Sequence, residues 1–354
     1  MSPCCMRVRR IFLGKLIFPK FLKNMLLTHI PWSQTAMIKY LGSKRALLNH
    51  IVAGIGEVLP RGGTVCDLFS GTSRVGHALK REGFRVWSND HNAYAHTLAT
   101  AYVQSDREKW LSRAEIVLEE LRAVKPNAGW FTKAFCRDAR FFHPDNGALI
   151  DAMRDRIAAL ALEPELEAIV LVSLMEAADR VDSTAGIQMA YMKKWAPRAY
   201  NALELRMPDI LPGVAGGPCK ATRRDAVDLA PEVEADLVYL DPPYNQHSYL
   251  GNYHCWESLV LWDRPETYGI ANKRVDVKTR KSAFNSKPGI APALQAVIEG
   301  LKAPNLIVSF NDEGYLGRDQ LVEMLSGRGE VQVIEIARPR YVGARIGIHN
   351  PRGE

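Results

Sequence analysis

One stretch limits what this chain can become: the apolar run Leu237-Val238-Tyr239-Leu240 stops at Asp241-Pro242-Pro243-Tyr244. Four apolar residues bounded by turn formers read as a short buried strand. Proline lacks a backbone donor and fixes its own φ, so the strand cannot pair onward and turns into a stiff loop. An acid is thereby displayed at the carboxyl end of a buried strand, next to an aromatic ring. Any α/β protein can end a strand in a proline-rich turn. Average residue usage, however, gives this particular string by chance in roughly one chain in a thousand of this length. Its chemistry is specific as well. The Asp241 carboxylate and the Pro242 carbonyl are two acceptors side by side, suited to the two hydrogens of an amino group. Tyr244 offers a face on which a base drawn from a duplex can stack, worth about 1–3 kcal/mol against an extrusion cost of a few kcal/mol.

Upstream, Val65-Cys66-Asp67-Leu68-Phe69-Ser70-Gly71-Thr72-Ser73-Arg74-Val75-Gly76 reads as a strand, a glycine turn and the start of a helix. That is the opening unit of a nucleotide-binding α/β sheet, in which small residues let backbone approach a ligand. The spacing departs from the dinucleotide pattern, because Ser73 stands where a second glycine is expected. About twenty residues on, Phe84-Arg85-Val86-Trp87 leads to Asp90, an acid placed to bind a ribose hydroxyl pair. The bland reading of Asp90 is a turn residue or helix cap. Closer to the N-terminus, Lys39-Tyr40-Leu41-Gly42-Ser43-Lys44 precedes a helix-like stretch.

The order of these parts resembles the Dam-like alpha group of DNA adenine-N6 methyltransferases: a lysine-aromatic-x-glycine-x-lysine element, a cofactor loop, a target-recognition insertion, then the Asp-Pro-Pro-Tyr motif. The resemblance covers roughly residues 37–351 and is specific at its two ends. It implies an S-adenosylmethionine-dependent enzyme that methylates the N6 amino group of adenine in duplex DNA by flipping the base into the pocket of Asp241, Pro242, Pro243 and Tyr244. It assigns Tyr40 and Lys44 to the cofactor, Asp67, Phe69 and Gly71 to the loop around its methionine part, and Asp90 to its ribose. Asp225 would face its adenine, and Asp241 would lie close to it. Tyr40 replaces the usual tryptophan but keeps an aromatic face. The implied partner is double-stranded DNA, joined in restriction systems by a cognate endonuclease, and the implied state is a monomer. An RNA base-amino methyltransferase shares the motif, and a non-catalytic nucleic-acid-binding protein can share the fold. The expected class is accordingly α/β, a Rossmann-like methyltransferase sheet with a helical target-recognition insertion.

More than a hundred residues separate Asp90 from Asp225, far beyond an ordinary α/β connection. Apolar residues at three-to-four spacing predict helices over 108–125, 146–162 and 164–180. Domain bounds follow: a basic extension over 1–36, a catalytic domain over 37–100 and 219–354, and a helical insertion over 101–218. The insertion is either a cap on the sheet or the target-recognition module. For the second reading Lys193, Lys194 and Arg198, beside the run Ser183 to Tyr191, are the expected DNA contacts. Tyr249 and Tyr253 are candidate stacking residues, although aromatics at that spacing commonly pack a core. The basic stretch 272–284, with Lys278, Arg280 and Lys281, reads as a phosphate-tracking loop. Strands are expected at 306–311, and at 331–336 and 345–349 as a terminal antiparallel hairpin.

The formal charge of +7 is not general evidence for nucleic-acid binding, because Arg7, Arg9, Arg10, Lys15, Lys20 and Lys23 in residues 1–36 account for most of it. That arm has no acid. It reads as a membrane-surface helix, a targeting peptide, a nucleic-acid arm, or a segment ahead of a true start at Met37. The last reading is preferred, and it predicts an arm that packs poorly and is dispensable. The six cysteines show no metal-ligand spacing, so a reduced, cytoplasmic protein without zinc or disulfides is expected, and no stretch is apolar and long enough for a transmembrane helix.

Overall fold

The computed structural model describes residues 10–13, 37–189, 194–310 and 314–336. Its centre is a sheet whose strands, in chain order, are β1 (Arg10–Leu13), β2 (Thr64–Asp67), β3 (Arg85–Asn89), β4 (Lys220–Thr222), β5 (Leu237–Leu240), β8 (Asn305–Ser309) and β9 (Val333–Glu335). The small hairpin β6 (Thr267–Tyr268) and β7 (Lys273–Arg274) stands apart from it. Spatially the order is β4-β3-β2-β5-β8-β1-β9, and every pairing in this sheet is parallel. From β2 the chain builds outward through β3 and β4, then returns to place β5 on the other side of β2. The crevice at such a reversal is where open α/β sheets bind ligands. Asp67 and Asp241 end or follow the two strands that flank it.

The period of two along each strand divides the interior. Leu237 and Tyr239 of β5, Val65 of β2 and Ile307 of β8 point to one core. Val238 and Leu240, Cys66, Leu306 and Val308 point to the other. All four residues of β5 are buried, as expected for a parallel strand covered on both faces. Helices α1 (Leu48–Val58), α2 (Arg74–Arg81), α3 (Ala93–Ala99) and α9 (His254–Leu261) contribute to the first core, whereas α7 (Ala226–Leu229), α10 (Ile290–Gly300) and α11 (Arg318–Ser326) contribute to the second.

The long insertion is helical: α4 (Arg107–Arg122), α5 (Pro144–Leu160) and α6 (Pro164–Arg180) match the three expected helices to within a few residues. Asp106 caps α4 by accepting from Glu108 N, and prolines occupy the first turns of α5 and α6, where the missing donor costs nothing. Helix α6 is buried over most of its surface and shares the first core with β2 and β5. Arg154 of α5 donates through Nε to Leu259 O at 2.9 Å, and through its terminal nitrogen to Val260 O at 3.1 Å. It closes carbonyls at the end of α9 that the helix cannot satisfy itself.

Two expectations differ. The arm does not lie wholly apart: Arg10–Leu13 pairs with β8 and β9, and the Ile-Phe-Leu run supplies a backbone ladder to what is otherwise the open edge of β8. The C-terminal strand is shorter than expected and pairs in parallel with β1, which occupies the slot beside β8, while its expected hairpin partner lies outside the described residues. Residues 345–349 and Lys193 lie outside the described residues. No helix among the described residues is long and apolar enough to cross a membrane.

Candidate active site

The carboxyl ends of β2, β3 and β5 open into a cleft. Tyr40, Lys44, Asp67, Phe69, Gly71, Asp90, Asp225, Asp241 and Pro243 all line it, so residues spread over some two hundred positions converge as expected. Pro242 is buried behind the wall, and Tyr244 leans on Phe310 with ring centroids 5.6 Å apart.

Asp67 is 1% exposed, and among the described residues neither carboxylate oxygen has a hydrogen bond of good geometry, the Gly76 amide acting on it only weakly. Burial first, then the negative charge of Asp241 and Asp90, pushes its carboxyl from the ordinary 3.8 up to about 8. The turn after Asp67 bends through Gly71 at φ +50°, where an added Cβ would come 3.5 Å from the Tyr40 ring. Ser73 takes φ +59°, a left-handed conformation that glycine, the residue expected there, adopts without strain.

Asp90 is held in place. Its Oδ2 accepts from Gly71 N at 3.1 Å, and Oδ1 accepts from Asn92 N and Asn92 Nδ2 at 2.9 and 3.1 Å. The carboxylate joins the end of β3 to the glycine turn while facing the cleft. Asp225 is exposed and caps α7 by accepting from Val227 N at 2.9 Å, so the cap and the cleft-lining positions coincide.

The Lys44 ammonium lies 2.8 Å from Asp241 Oδ1 and 6.0 Å from the Tyr244 ring centroid. Burial raises the Asp241 carboxyl above its usual range, and Lys44 works against that. Tyr40 stacks on both Tyr253 (4.6 Å, 15°) and Tyr249 (5.1 Å, 3°), and its hydroxyl is 3.1 Å from that of Tyr94.

The expected nucleic-acid contacts do not gather. Tyr253 is 1% exposed, its hydroxyl accepting from Leu41 N at 2.5 Å and donating to Gly186 O at 3.4 Å, which makes it a core residue instead of a surface stacking group. Arg198 turns inward to Asp182 at 2.9 Å and Thr184 O at 2.8 Å. Arg280 is drawn into the cleft wall by Glu257 at 2.7 Å and Asp276 at 3.1 Å, Glu257 being wholly buried. Lys278 covers the Tyr268 ring at 4.1 Å, Tyr249 is half-buried in the cleft, and Lys194 and Lys281 are exposed. Sequence reasoning missed Phe284 and Asn285, which line the cleft from the far end of the basic stretch. Phe284 meets Phe69 edge-on at 5.0 Å. The signal for it was an aromatic residue closing an otherwise polar loop.

Residues 40–291 match the family model for D12 class N6 adenine-specific DNA methyltransferases. The chain is similar to the type II methyltransferase M.NlaIII of Neisseria lactamica, with 27% identity covering 86% of this chain and 92% of the relative. It is also similar to the type II methyltransferase M.FokI of Planomicrobium okeanokoites, at 30% identity over 86% of this chain and 49% of that protein. A third relative is the modification methylase StsI of Streptococcus sanguinis, at 28% over 86% and 48%. The chain thus spans nearly the whole of the first and about half of the other two.

Proposed function

The chain belongs to the D12 class of N6 adenine-specific DNA methyltransferases, and from that premise we propose that its cleft binds S-adenosylmethionine and receives a flipped adenine against Asp241, Pro242 and Tyr244. The observation that carries this reading is the buried Asp67, with no side-chain partner, lining the cleft beside Asp241 at the point where the strand order reverses. The residues fit the donor: Asp67 accepts the ammonium of its methionine part, Asp90 its ribose hydroxyls, Tyr40 and Phe69 supply apolar faces, and Lys44 balances its carboxylate. When bound, the cofactor supplies a methyl group activated by a sulfonium.

Asp241 and the Pro242 carbonyl accept the two hydrogens of the adenine amino group, which turns the nitrogen lone pair away from the ring and toward that methyl. Tyr244 stacks on the extruded base and offsets the cost of flipping. The amino proton leaves after the methyl has moved, and Asp241, its carboxyl raised by burial, is the adjacent acceptor. On this reading the protein is the modification enzyme of a type II system or a solitary methyltransferase, acts as a monomer, and works in the cytoplasm. Exposed Lys194 and Lys281 track phosphates.

Methyl transfer from labelled S-adenosylmethionine to unmethylated duplex DNA and, in parallel, to total RNA tests the reading, with nucleosides identified by mass spectrometry. Label is expected as N6-methyladenine in DNA. Asp241→Ala is expected to lower the rate at least about a hundredfold, the loss typical of removing one preorganised hydrogen-bonding group from a transition state. Label in RNA alone would sink the proposal.

A further inference from the structure

The chain from Asp241 to Ser248 has no ladder to hold it, yet it must present one carbonyl and one ring at fixed positions. Three of its carbonyls are taken from outside the loop. Tyr315 N donates to Tyr244 O at 2.9 Å. Asn285 Nδ2 donates to Asn245 O at 2.9 Å and to His247 O at 3.0 Å. Two carbonyl partners fix the orientation of the Asn285 amide, because its oxygen could bond neither. Both amide hydrogens are engaged, so the side chain can offer the cleft only its acceptor oxygen. No hydrogen bond among the described residues engages the Pro242 carbonyl, the one that the proposed chemistry requires to be open.

Asn285 sits in a turn that is itself anchored. Ser282 Oγ accepts from Phe284 N at 3.3 Å, and the Phe284 ring is wedged against Phe69 in the glycine loop. The turn therefore touches the cofactor loop with one residue and the loop after the motif with the next. We infer that Asn285 is a positioning residue for methyl transfer, whose amide clamps the loop after Tyr244 so that the Pro242 carbonyl and the Tyr244 ring keep the geometry the target adenine meets. This inference rests on the function proposed above.

Three measurements on Asn285→Ala and Asn285→Asp test it, after the target sequence has been read from methylated sites in the DNA of an expression host. Single-turnover methylation is expected to fall by about tenfold or more in Asn285→Ala, since small misplacement of reacting groups is costly. It should fall further in Asn285→Asp, which keeps the shape but sets a carboxylate against two carbonyls. Binding of the cofactor analogue sinefungin by Asn285→Ala is expected to stay within about twofold of wild type. Hydrogen exchange in the peptide covering 242–248 should quicken while the rest of the sheet is unchanged.

A wild-type rate in Asn285→Ala would overturn the inference. So would an Asp variant more active than the Ala variant, which is the order expected if the residue only fills space. A loss of rate that merely follows a loss of sinefungin affinity or of melting temperature would also overturn it. If the wild-type chain methylates no DNA, the proposed function fails, and the exchange measurement still decides whether the clamp exists.

Discussion

Asp67 couples the chemistry of the site to the stability of the chain. A carboxyl that ionises near 8 when folded and near 3.8 when unfolded keeps its proton longer in the folded state. Stability from this group is present below the unfolded value and is lost as pH rises through the folded one. Asp67→Asn is therefore expected to flatten the decline in stability between about pH 4 and pH 8, and to raise the melting temperature at pH 8 by roughly a few degrees. The same change should weaken binding of a cofactor analogue by about tenfold or more, the worth of a hydrogen bond to a charged group. Melting scans at several pH values, with isothermal titration of sinefungin, check both signs. Acids of this kind were legible in the sequence because each ends or directly follows a short strand: Asp67, Asp90 and Asp241 needed only the strand to be recognised. Asn285 was not legible, since its partners lie about forty positions away in a loop without periodicity. Tyr253 was misplaced for a related reason. One turn apart, Tyr249 and Tyr253 look alike in the sequence, but the first faces the cleft and the second serves as the hidden side of the Tyr40 stack.

At the scale of elements, the N-terminal cofactor segment is pinned to the insertion by a buried hub. Lys39 Nζ donates to Asp182 Oδ1 at 2.6 Å, Arg198 Nε donates to the same oxygen at 2.9 Å, and Lys39 N donates to Asp179 Oδ2 at 3.1 Å. Thr184 Oγ1 completes Asp182. Removing this carboxylate leaves two cations half-buried without their shared acid. Asp182→Ala is expected to destabilise by about 3 kcal/mol and to lower affinity for the cofactor analogue, because Tyr40 follows Lys39 directly. Tyr253→Phe should be milder, about 1 kcal/mol, since only the hydroxyl between Leu41 and Gly186 is lost while the ring stack persists. Denaturant titration ranks the two. The existence of the helices was legible from their spacing. Their partners were not, because a basic residue such as Arg198 reads the same whether it faces solvent or a buried acid.

For the whole molecule, the insertion and the sheet share one continuous apolar interior: α4, α5 and α6 contribute to the same core as β2, β5 and α9. Calorimetry is expected to show a single unfolding transition, with the calorimetric and van't Hoff enthalpies in agreement. Two transitions would show that the insertion folds as a separate unit. The sheet class and the place of the cleft were legible from motif order. The position of β1 was not, because no local pattern tells a four-residue run which edge it will meet. The pairing of β2 with β5 also sets a timetable for synthesis. Thr64–Asp67 leaves the ribosome long before Leu237–Leu240. At roughly 5–20 residues per second the gap is on the order of ten to thirty seconds. During that wait the contacts within α4, α5 and α6 are close in the chain and quick to form. The first strands and the helical insertion are thus available to one another well before the half of the sheet that will carry Asp241, which is laid down last against partners already made.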